Sequence, residues 1–180
     1  MILNLFNQLK SKDTEVLLVG SQGRLKYKNE LIDLFGDIEY EFGSSTMLNN
    51  VDFKPDKNDY DVLCITDNID SLLDNIDSLI DKTNAVVKIV KVDLITIIID
   101  GIKYDIFMCK KKDKYYYFLF LILGKTANII LRQKVKRLGL KLNRYGLFNK
   151  DKKINIKFDN KLNIFYNIYI IFSYIYTYRK

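Results

Sequence analysis

The chain has 180 residues, of which 48% are hydrophobic and 28% charged, so it can fold as one domain or as two small ones. It contains no histidine, which excludes histidine-based triads, histidine general bases and histidine-ligated zinc. The net charge of +7 is unevenly divided: residues 1–109 carry 11 Lys+Arg and 19 Asp+Glu, whereas residues 110–180 carry 18 and 3. The first part therefore suits divalent cations, and the second predicts a polyanionic partner.

Two cysteines, Cys64 and Cys109, are too few for a disulfide framework and indicate a reducing, intracellular compartment. We interpret both as buried thiols without a chemical role. No signal peptide is expected, because the N-terminal segment lacks a basic leader and a small-residue cleavage site.

The first 58 residues predict three short elements. Residues 15–23 read as a strand or helix end that runs into a glycine turn. Apolar residues on one face predict a helix over 28–37, with Gly36 as its stop. Alternation of polar and apolar residues over 38–45 predicts a strand.

Residues 59–109 predict most of a mixed or antiparallel sheet. A strand is expected over 59–66 and an amphipathic helix over 69–82. Three β-rich runs follow, and Asp100–Gly101 between the last two has the composition of a tight hairpin turn. These runs span residues 85–93, 94–100 and 102–108.

The basic part predicts a second, smaller α+β lobe. An apolar run ends at Gly124, a helix is expected over 126–138, and residues 139–148 and 153–158 read as a strand pair. Residues 163–178 are the most membrane-like, but they contain several Tyr and Asn and are short for a bilayer, which favours a core element. We therefore expect an α+β fold with domains at 1–109 and 110–180.

Five aspartates in residues 43–67 raise the question of a metal site. Asp59 and Asp61 lie two apart on a predicted strand, so their side chains project to the same side. Asp105 lies on another apolar strand, where a carboxylate is costly unless it is paired or bound to metal. Hard cations prefer such oxygen ligands. Asp52 and Asp56 have no strand to orient them, and we interpret them as loop acids.

A glycine–serine turn could present backbone N–H groups and a hydroxyl to phosphates. Two such pairs occur, Gly43–Ser44 and Gly20–Ser21, and we favour the first because the second lies 39 residues before Asp59. A Gly-Ser turn, two aspartates on one strand and a third on another together predict nucleotidyl transfer with two divalent ions.

The stretches GSSTMLNNVDFKPDKNDYDVLCIT, IKYDIFM and LGKTANIILRQKVKRLGLKLNRYGLF together resemble DNA polymerase family X, the polymerase-beta-like nucleotidyltransferases. The likeness runs from about Tyr27 to Phe148 and is closest to a small viral member. It implies a nucleotidyltransferase palm followed by a C-terminal lobe, with no lyase domain ahead of Tyr27. NRYGLF is the most specific local match.

The resemblance also implies roles for individual residues. Gly43 and Ser44 match the phosphate turn, and Asp59 and Asp61 match ligands of both Mg²⁺ or Mn²⁺ ions. Asp105 matches the third carboxylate of the family, which binds the catalytic metal ion and activates the primer 3′-hydroxyl. In the second lobe the implied nucleotide-binding residues are Gly124 and Asn128, and the implied DNA-binding residues are Arg132, Lys134, Lys136 and Arg137.

The chain departs from the family pattern in the spacing from Gly124 to Asn128, which is one residue shorter, and at two further places. The arginines that follow Gly-Ser in the family are missing after Gly43–Ser44, and Lys54 and Lys57 are possible substitutes. The family's aromatic pair before Thr-Gly is replaced by aliphatic residues at 121–123, which bears on discrimination against ribonucleotides.

The function expected from these features is that of a monomeric DNA-directed DNA polymerase that adds deoxynucleotides from dNTPs to a primer 3′ end in gapped or primer–template DNA. No membrane association is expected. One alternative is a template-independent or ribonucleotide-adding nucleotidyltransferase of the same fold. Another is a non-catalytic DNA-binding relative, which is disfavoured by the presence of all three aspartates.

Overall fold

The computed structural model describes residues 2–42 and 47–178. The fold is α+β with a mixed sheet, as the sequence predicts. The chain forms two compact units, and each is built from two separate segments. The first unit contains Met1–Lys26 and Lys54–Lys114, and the second contains Tyr27–Phe53 and Tyr115–Lys180.

The first unit is a five-stranded sheet with strand order β1-β2-β5-β4-β3. The strands are β1 (Glu15–Val19), β2 (Asp59–Ile65), β3 (Val86–Lys91), β4 (Leu94–Ile99) and β5 (Ile102–Cys109). The helices of this unit are α1 (Ile2–Leu9), α2 (Gly20–Lys26) and α4 (Ile69–Thr83). Only the central β2–β5 pair is parallel; the other pairs are antiparallel.

One hydrophobic cluster of this unit lies on the face of the sheet that α1 and α4 cover. Val62 and Cys64 of β2 point to this face and are fully buried. They pack with apolar residues of α1 and α4, including Leu9, Leu72 and Ile76. The carboxyl-bearing positions Asp59 and Asp61 therefore point to the opposite face.

Local sequence signals explain the ends of two elements. The side chain of Asn68 accepts a hydrogen bond from Ser71 N at 3.1 Å and caps α4 at its start. Asp100 and Gly101 both have positive φ, 51° and 78°, as a tight turn between antiparallel strands requires. The predicted strand at 59–66, helix at 69–82 and three following strands are confirmed.

The second unit contains three helices and a small sheet. The helices are α3 (Lys28–Phe42), α5 (Lys114–Arg137) and α6 (Ile164–Thr177). The first residue of α5, Lys114, belongs to the first unit. The strands are β6 (Leu140–Asn143), β7 (Gly146–Asn149) and β8 (Lys152–Lys153), in the order β6-β7-β8. Helix α3 packs on α6, where the rings of Phe35 and Phe172 meet edge to face.

Two predictions for this unit are wrong. The segment predicted as a strand over 38–45 is helical as far as Phe42, because Ile38 continues the buried apolar stripe of the helix. Gly36, the predicted stop, lies on the exposed face of this helix and does not end it. The strand pair is also shifted: β6 pairs with β7 around Arg144–Tyr145. The predicted turn after Phe148 instead joins β7 to the short β8.

Helix α5 is interrupted at Gly124, which has φ 76° and ψ 176°. This backbone conformation is essentially restricted to glycine, so the apolar run and the basic helix are two helical segments joined at a kink. Helix α6 is buried along one side, which confirms that residues 163–178 form a core element. Within residues 2–42 and 47–178, none of the helices combines the length and apolar character that crossing a bilayer requires.

The two units do not follow the expected boundary between residues 109 and 110. The division lies after Lys114, and Tyr27–Phe53 belongs to the second unit, because the apolar stripe of α3 is buried against α6. The division of charge changes accordingly. The first unit has 14 Lys+Arg and 14 Asp+Glu, and the second has 15 and 8.

Candidate metal centre

Three aspartates of the first unit meet on the two central parallel strands. In the register of this pair, Asp59 lies beside Lys103 and Asp61 beside Asp105. Because residues two apart share a side of a strand, all four side chains project from the same face. One carboxylate oxygen from each of Asp59, Asp61 and Asp105 lies within 4.8 Å of the others. The expectation that these aspartates lie together is confirmed.

The cluster is electrostatically crowded. The pKa of Asp61 is raised from 3.8 to about 6, first by burial and then by the neighbouring charges of Asp59 and Asp105. Lys103 and Arg24 act in the opposite direction. Asp61 is therefore still mostly ionised at pH 7, and the site carries three closely spaced negative charges.

Two further residues hold the cluster in place, and sequence reasoning missed both. The Nζ of Lys103 lies 3.0 Å from Asp59 Oδ2 and 3.1 Å from Asp105 Oδ2. Burial alone would lower the pKa of Lys103, but hydrogen bonds to Asp59 and Asp105 and the charges of these carboxylates together raise it. The hydroxyl of Thr96, a residue only 3% exposed, donates to Asp105 Oδ1 at 2.5 Å.

Strand register explains why both residues lie in the cluster. Thr96 pairs with Asp105 across the antiparallel β4–β5 ladder, and Lys103 pairs with Asp59 across the parallel β2–β5 ladder. Residue type gave no signal, because a threonine or a lysine in a strand is common. Register is set by how the whole sheet assembles, which the sequence motif does not contain.

The donor set fits a divalent cation. All three candidate ligands are carboxylates, the ligands preferred by Mg²⁺ and Mn²⁺. Asp59 Oδ1 is buried and has no hydrogen-bond partner among the described residues, which is costly for a charged oxygen unless a cation or water satisfies it. This unpartnered oxygen makes Asp59 the residue most in need of a further ligand.

A glycine–serine pair lies directly against the cluster, and it is Gly20–Ser21 at the start of α2. Gly20 follows β1, whose last residue Val19 pairs with Asp61. Gly20 has φ 60°, and a Cβ at this position would overlap the Asp61 carboxylate. Arg24, three residues after Ser21, is buried and acts electrostatically on Asp61. The favoured pair, Gly43 and Ser44, lies outside the described residues.

Hydrogen bonds attach the loop before β2 to the start of α2. Asp56 N donates to Ser21 Oγ at 3.1 Å, and the side chain of Gln22 donates to the carbonyl of Asp56. Asp56 thus has a structural role in the loop, where its carboxylate also accepts a hydrogen bond from Asn58 N. Neither Asp52 nor Asp56 belongs to the aspartate cluster found among the described residues.

The expected residues of the second unit lie along the C-terminal segment of α5. Asn128 and Arg132 line one small cleft with Phe120 and Asn143, so they share a helix face as predicted. The amide of Asn128 donates to the carbonyls of Phe120 and Gly124, at 2.5 and 2.8 Å. Arg132 is exposed, and its guanidinium lies 4.8 Å from the centre of the Phe120 ring.

The other predicted DNA-binding residues of α5 differ in how exposed they are. Lys136 and Arg137 are exposed, whereas Lys134 is half-buried, and burial together with Arg137 lowers its pKa. Gly124 supplies the kink described above. The structure thus gives Gly124 and Asn128 a role in shaping the helix and leaves the charged ends of Arg132, Lys136 and Arg137 at the surface.

The two cysteines are free and buried on β2 and β5. Burial raises the pKa of the Cys64 thiol to about 12 and raises that of Cys109 as well. Both thiols are therefore protonated and poor nucleophiles at neutral pH, as expected for core residues.

No protein-family model and no curated protein matches this chain in sequence. The site is thus defined by its own geometry. Three carboxylates converge on one face of a sheet, and a lysine and a threonine contact them. The glycine that begins α2 lies at their side, with an arginine in the same helix. An arrangement of this kind can bind divalent cations and an anionic ligand together.

Proposed function

We propose that the protein is a divalent-cation-dependent nucleotidyltransferase, and specifically a DNA-directed DNA polymerase of the family X type. The observation that carries this proposal is the convergence of Asp59, Asp61 and Asp105 on two parallel strands, with Gly20 packed against Asp61. The described residues fit a site that holds cations on one side and phosphates on the other.

In this proposal the aspartates have distinct tasks. Asp59 and Asp61 would bind the cations, and the unpartnered Oδ1 of Asp59 would gain a ligand. Asp105 would accept the proton of the primer 3′-hydroxyl, oriented by the hydrogen bond from Thr96 to its Oδ1. When bound, Mg²⁺ or Mn²⁺ would neutralise the triphosphate and make the hydroxyl more acidic.

The Gly20–Ser21 pair at the start of α2 supports phosphate binding beside the carboxylates. Gly20 allows the backbone to approach Asp61 closely, since any side chain there would overlap it. The Ser21 hydroxyl accepts from Asp56 N and retains a proton that it can donate. Arg24 supplies a positive charge three residues later, the kind of residue that the sequence resemblance lacks after Gly43–Ser44.

The second unit would bind DNA. It has an excess of seven basic residues, and Arg132, Lys136 and Arg137 are exposed on one helix. Contacts between such side chains and phosphates release counterions, so DNA affinity should fall steeply with salt. Phosphoryl transfer depends mainly on positioning and charge neutralisation, so the lack of histidine is compatible with this function.

Template-independent or ribonucleotide addition is the second candidate. The observation that favours it is the aliphatic sequence at 121–123, where the resemblance leads one to expect an aromatic pair. Ile122 and Leu123 are buried in the described structure, so they contribute to the core of the second unit.

Primer extension on DNA with a one-nucleotide gap tests both candidates. Each deoxynucleotide and ribonucleotide is supplied singly with Mg²⁺ or Mn²⁺, and wild type is compared with Asp105→Asn. Templated deoxynucleotide incorporation that falls about 10²–10⁴-fold in the variant supports the polymerase. The matched control is Asp74→Asn, since Asp74 is exposed on α4 outside the cluster and its replacement should leave the rate unchanged.

The other outcomes separate the alternatives. Untemplated addition, or equal use of ribonucleotides, supports the second candidate. DNA binding without incorporation of any nucleotide contradicts both enzyme functions and favours a binding protein.

A further inference from the structure

Lys103 occupies a central position in the aspartate cluster. Its ammonium contacts Asp59 Oδ2 at 3.0 Å and Asp105 Oδ2 at 3.1 Å, so one positive charge joins carboxylates from two strands. Its place follows from register, because Lys103 pairs with Asp59 and precedes Asp105 by two residues on the same face. The two carboxylates that it contacts also belong to the candidate metal centre.

The ammonium and a divalent cation would compete for these carboxylates. Asp59, Asp61 and Asp105 offer three negative charges, and Lys103 supplies one positive charge among them. A divalent cation brings twice that charge and binds directly to carboxylate oxygens, whereas an ammonium can only donate hydrogen bonds. With both present, Lys103 and the metal ion would repel each other.

The ammonium of Lys103 is also able to move away from the aspartate cluster. Its side chain is 41% exposed, so the ammonium can move into solvent without rearrangement of the core. Lysine has a flexible four-carbon stem, unlike the rigid guanidinium of arginine. Ion pairs of this exposure are weak individually, which makes displacement by a divalent cation favourable.

We propose that Lys103 is the resident counter-ion of the aspartate cluster. It holds Asp59 and Asp105 together while no divalent cation is bound, and it is displaced when one binds. Lys103 thus lowers the affinity of the site for metal and keeps the metal-free sheet stable. This role depends on the proposed cation binding by the aspartates and is independent of which nucleotide or primer the protein uses.

The test compares Mn²⁺ binding and thermal stability in wild type, Lys103→Met and Lys103→Arg. Mn²⁺ binding is measured by electron paramagnetic resonance of the free ion, and stability by melting with and without chelator. We expect Lys103→Met to bind Mn²⁺ about fivefold more tightly than wild type, or better. Lys103→Arg keeps the positive charge on a more rigid group, so it should bind Mn²⁺ no more tightly than wild type. Without metal, Lys103→Met should melt at a lower temperature than wild type, and Mn²⁺ should restore it.

Tighter Mn²⁺ binding by Lys103→Met is the decisive outcome, because a substitution that damaged the fold would weaken Mn²⁺ binding. Lys103→Gln is measured as a second charge-free variant, and Lys88→Met is the matched control, since Lys88 is an exposed lysine on β3 outside the cluster. Equal or weaker Mn²⁺ binding in both charge-free variants contradicts the role of Lys103. If wild type still binds Mn²⁺ and Asp61→Asn does not, the metal centre stands. If no variant binds Mn²⁺, the metal centre and the role of Lys103 are both wrong.

Discussion

At the residue scale, the candidate site combines charge crowding with close packing. Three carboxylates lie within 4.8 Å of one another. The backbone at position 20 comes so close to Asp61 that only a residue without a side chain fits there. Such an arrangement is costly for folding, which is typical of positions where function constrains the structure. Gly20 and Asp61 are therefore the residues at which substitution is most informative.

Gly20→Ala should destabilise the protein strongly. Its φ of 60° disfavours any side chain, and a methyl group would overlap the Asp61 carboxylate. We expect a loss of about 2–4 kcal/mol in the free energy of unfolding, measured by denaturant titration. Gly36→Ala is the control: this helical glycine has nothing within 4 Å of an added Cβ, so the substitution should be neutral or stabilising by up to about 1 kcal/mol. Equal effects at the two positions would contradict the close approach at Gly20.

The raised pKa of Asp61 predicts how stability depends on pH. In the folded protein this pKa is about 6, above the ordinary value of 3.8, so ionisation of Asp61 favours the unfolded state. Its contribution to stability is full below about pH 4 and is lost as the pH rises through about 6. Asp61→Asn cannot ionise, so its stability relative to wild type should increase between pH 4.5 and pH 7.5.

The increase should be at most about 3 kcal/mol, since one pKa unit corresponds to about 1.4 kcal/mol. The free energy of unfolding is measured for both proteins with chelator present, so that metal binding does not contribute. A difference between variant and wild type that is the same at every pH would mean that burial and the neighbouring aspartates do not raise this pKa.

At the element scale, strand register positions Lys103 and Thr96, and a helix kink positions Asn128. The β2–β5 and β4–β5 ladders bring Lys103 and Thr96 to the aspartates. In α5, Gly124 breaks the helix, and Asn128 donates to two carbonyls at that break. The Asn128 amide thus connects the carbonyl of Phe120, before the break, to that of Gly124, at the break.

Asn128→Ala should therefore reduce stability as well as any nucleotide binding. Loss of the two hydrogen bonds is expected to cost about 1–2 kcal/mol in the free energy of unfolding. Gln133→Ala is the control on the same helix, because Gln133 is exposed and its replacement should change stability by less than about 0.5 kcal/mol. If Asn128→Ala weakens nucleotide binding and leaves stability unchanged, the structural role of Asn128 is contradicted.

At the scale of the whole molecule, each unit is built from two segments of the chain. Helix α3 lies between β1 and β2 in sequence, yet it packs with α6 in the second unit. Its buried residues include Leu31, Phe35 and Ile38, which are almost fully enclosed. A cut after residue 109 would thus remove the partner of this apolar stripe.

A fragment of residues 1–109 should consequently aggregate, because α3 would expose its apolar stripe. The comparison is a fragment in which residues 27–53 are replaced by a glycine–serine linker that joins Lys26 to Lys54. We expect the second fragment to remain monodisperse at concentrations where the first does not, as measured by size-exclusion chromatography with light scattering. Equal behaviour of the two would show that α3 does not depend on α6 for burial.

The sequence by itself determined the elements whose signals are local. Alternation predicted β2 and its two aspartates, the apolar stripe predicted α4, and Asp100–Gly101 predicted a hairpin turn. Each depends on periodicity or backbone preference within a few residues, which the sequence states directly. The wrong prediction of a strand at 38–45 shows the limit of such local signals. The apolar stripe of this helix is buried by α6, which is distant in sequence.

Only the tertiary structure decided which distant residues share the site. It placed Lys103 and Thr96 on the aspartates, brought Gly20–Ser21 and Arg24 beside Asp61, and assigned α3 to the second unit. It also turned an acidic half and a basic half into one neutral and one basic unit. Strand pairing and helix packing join residues far apart in sequence, and the free energy that selects one pairing comes from the whole core, so no short motif contains it.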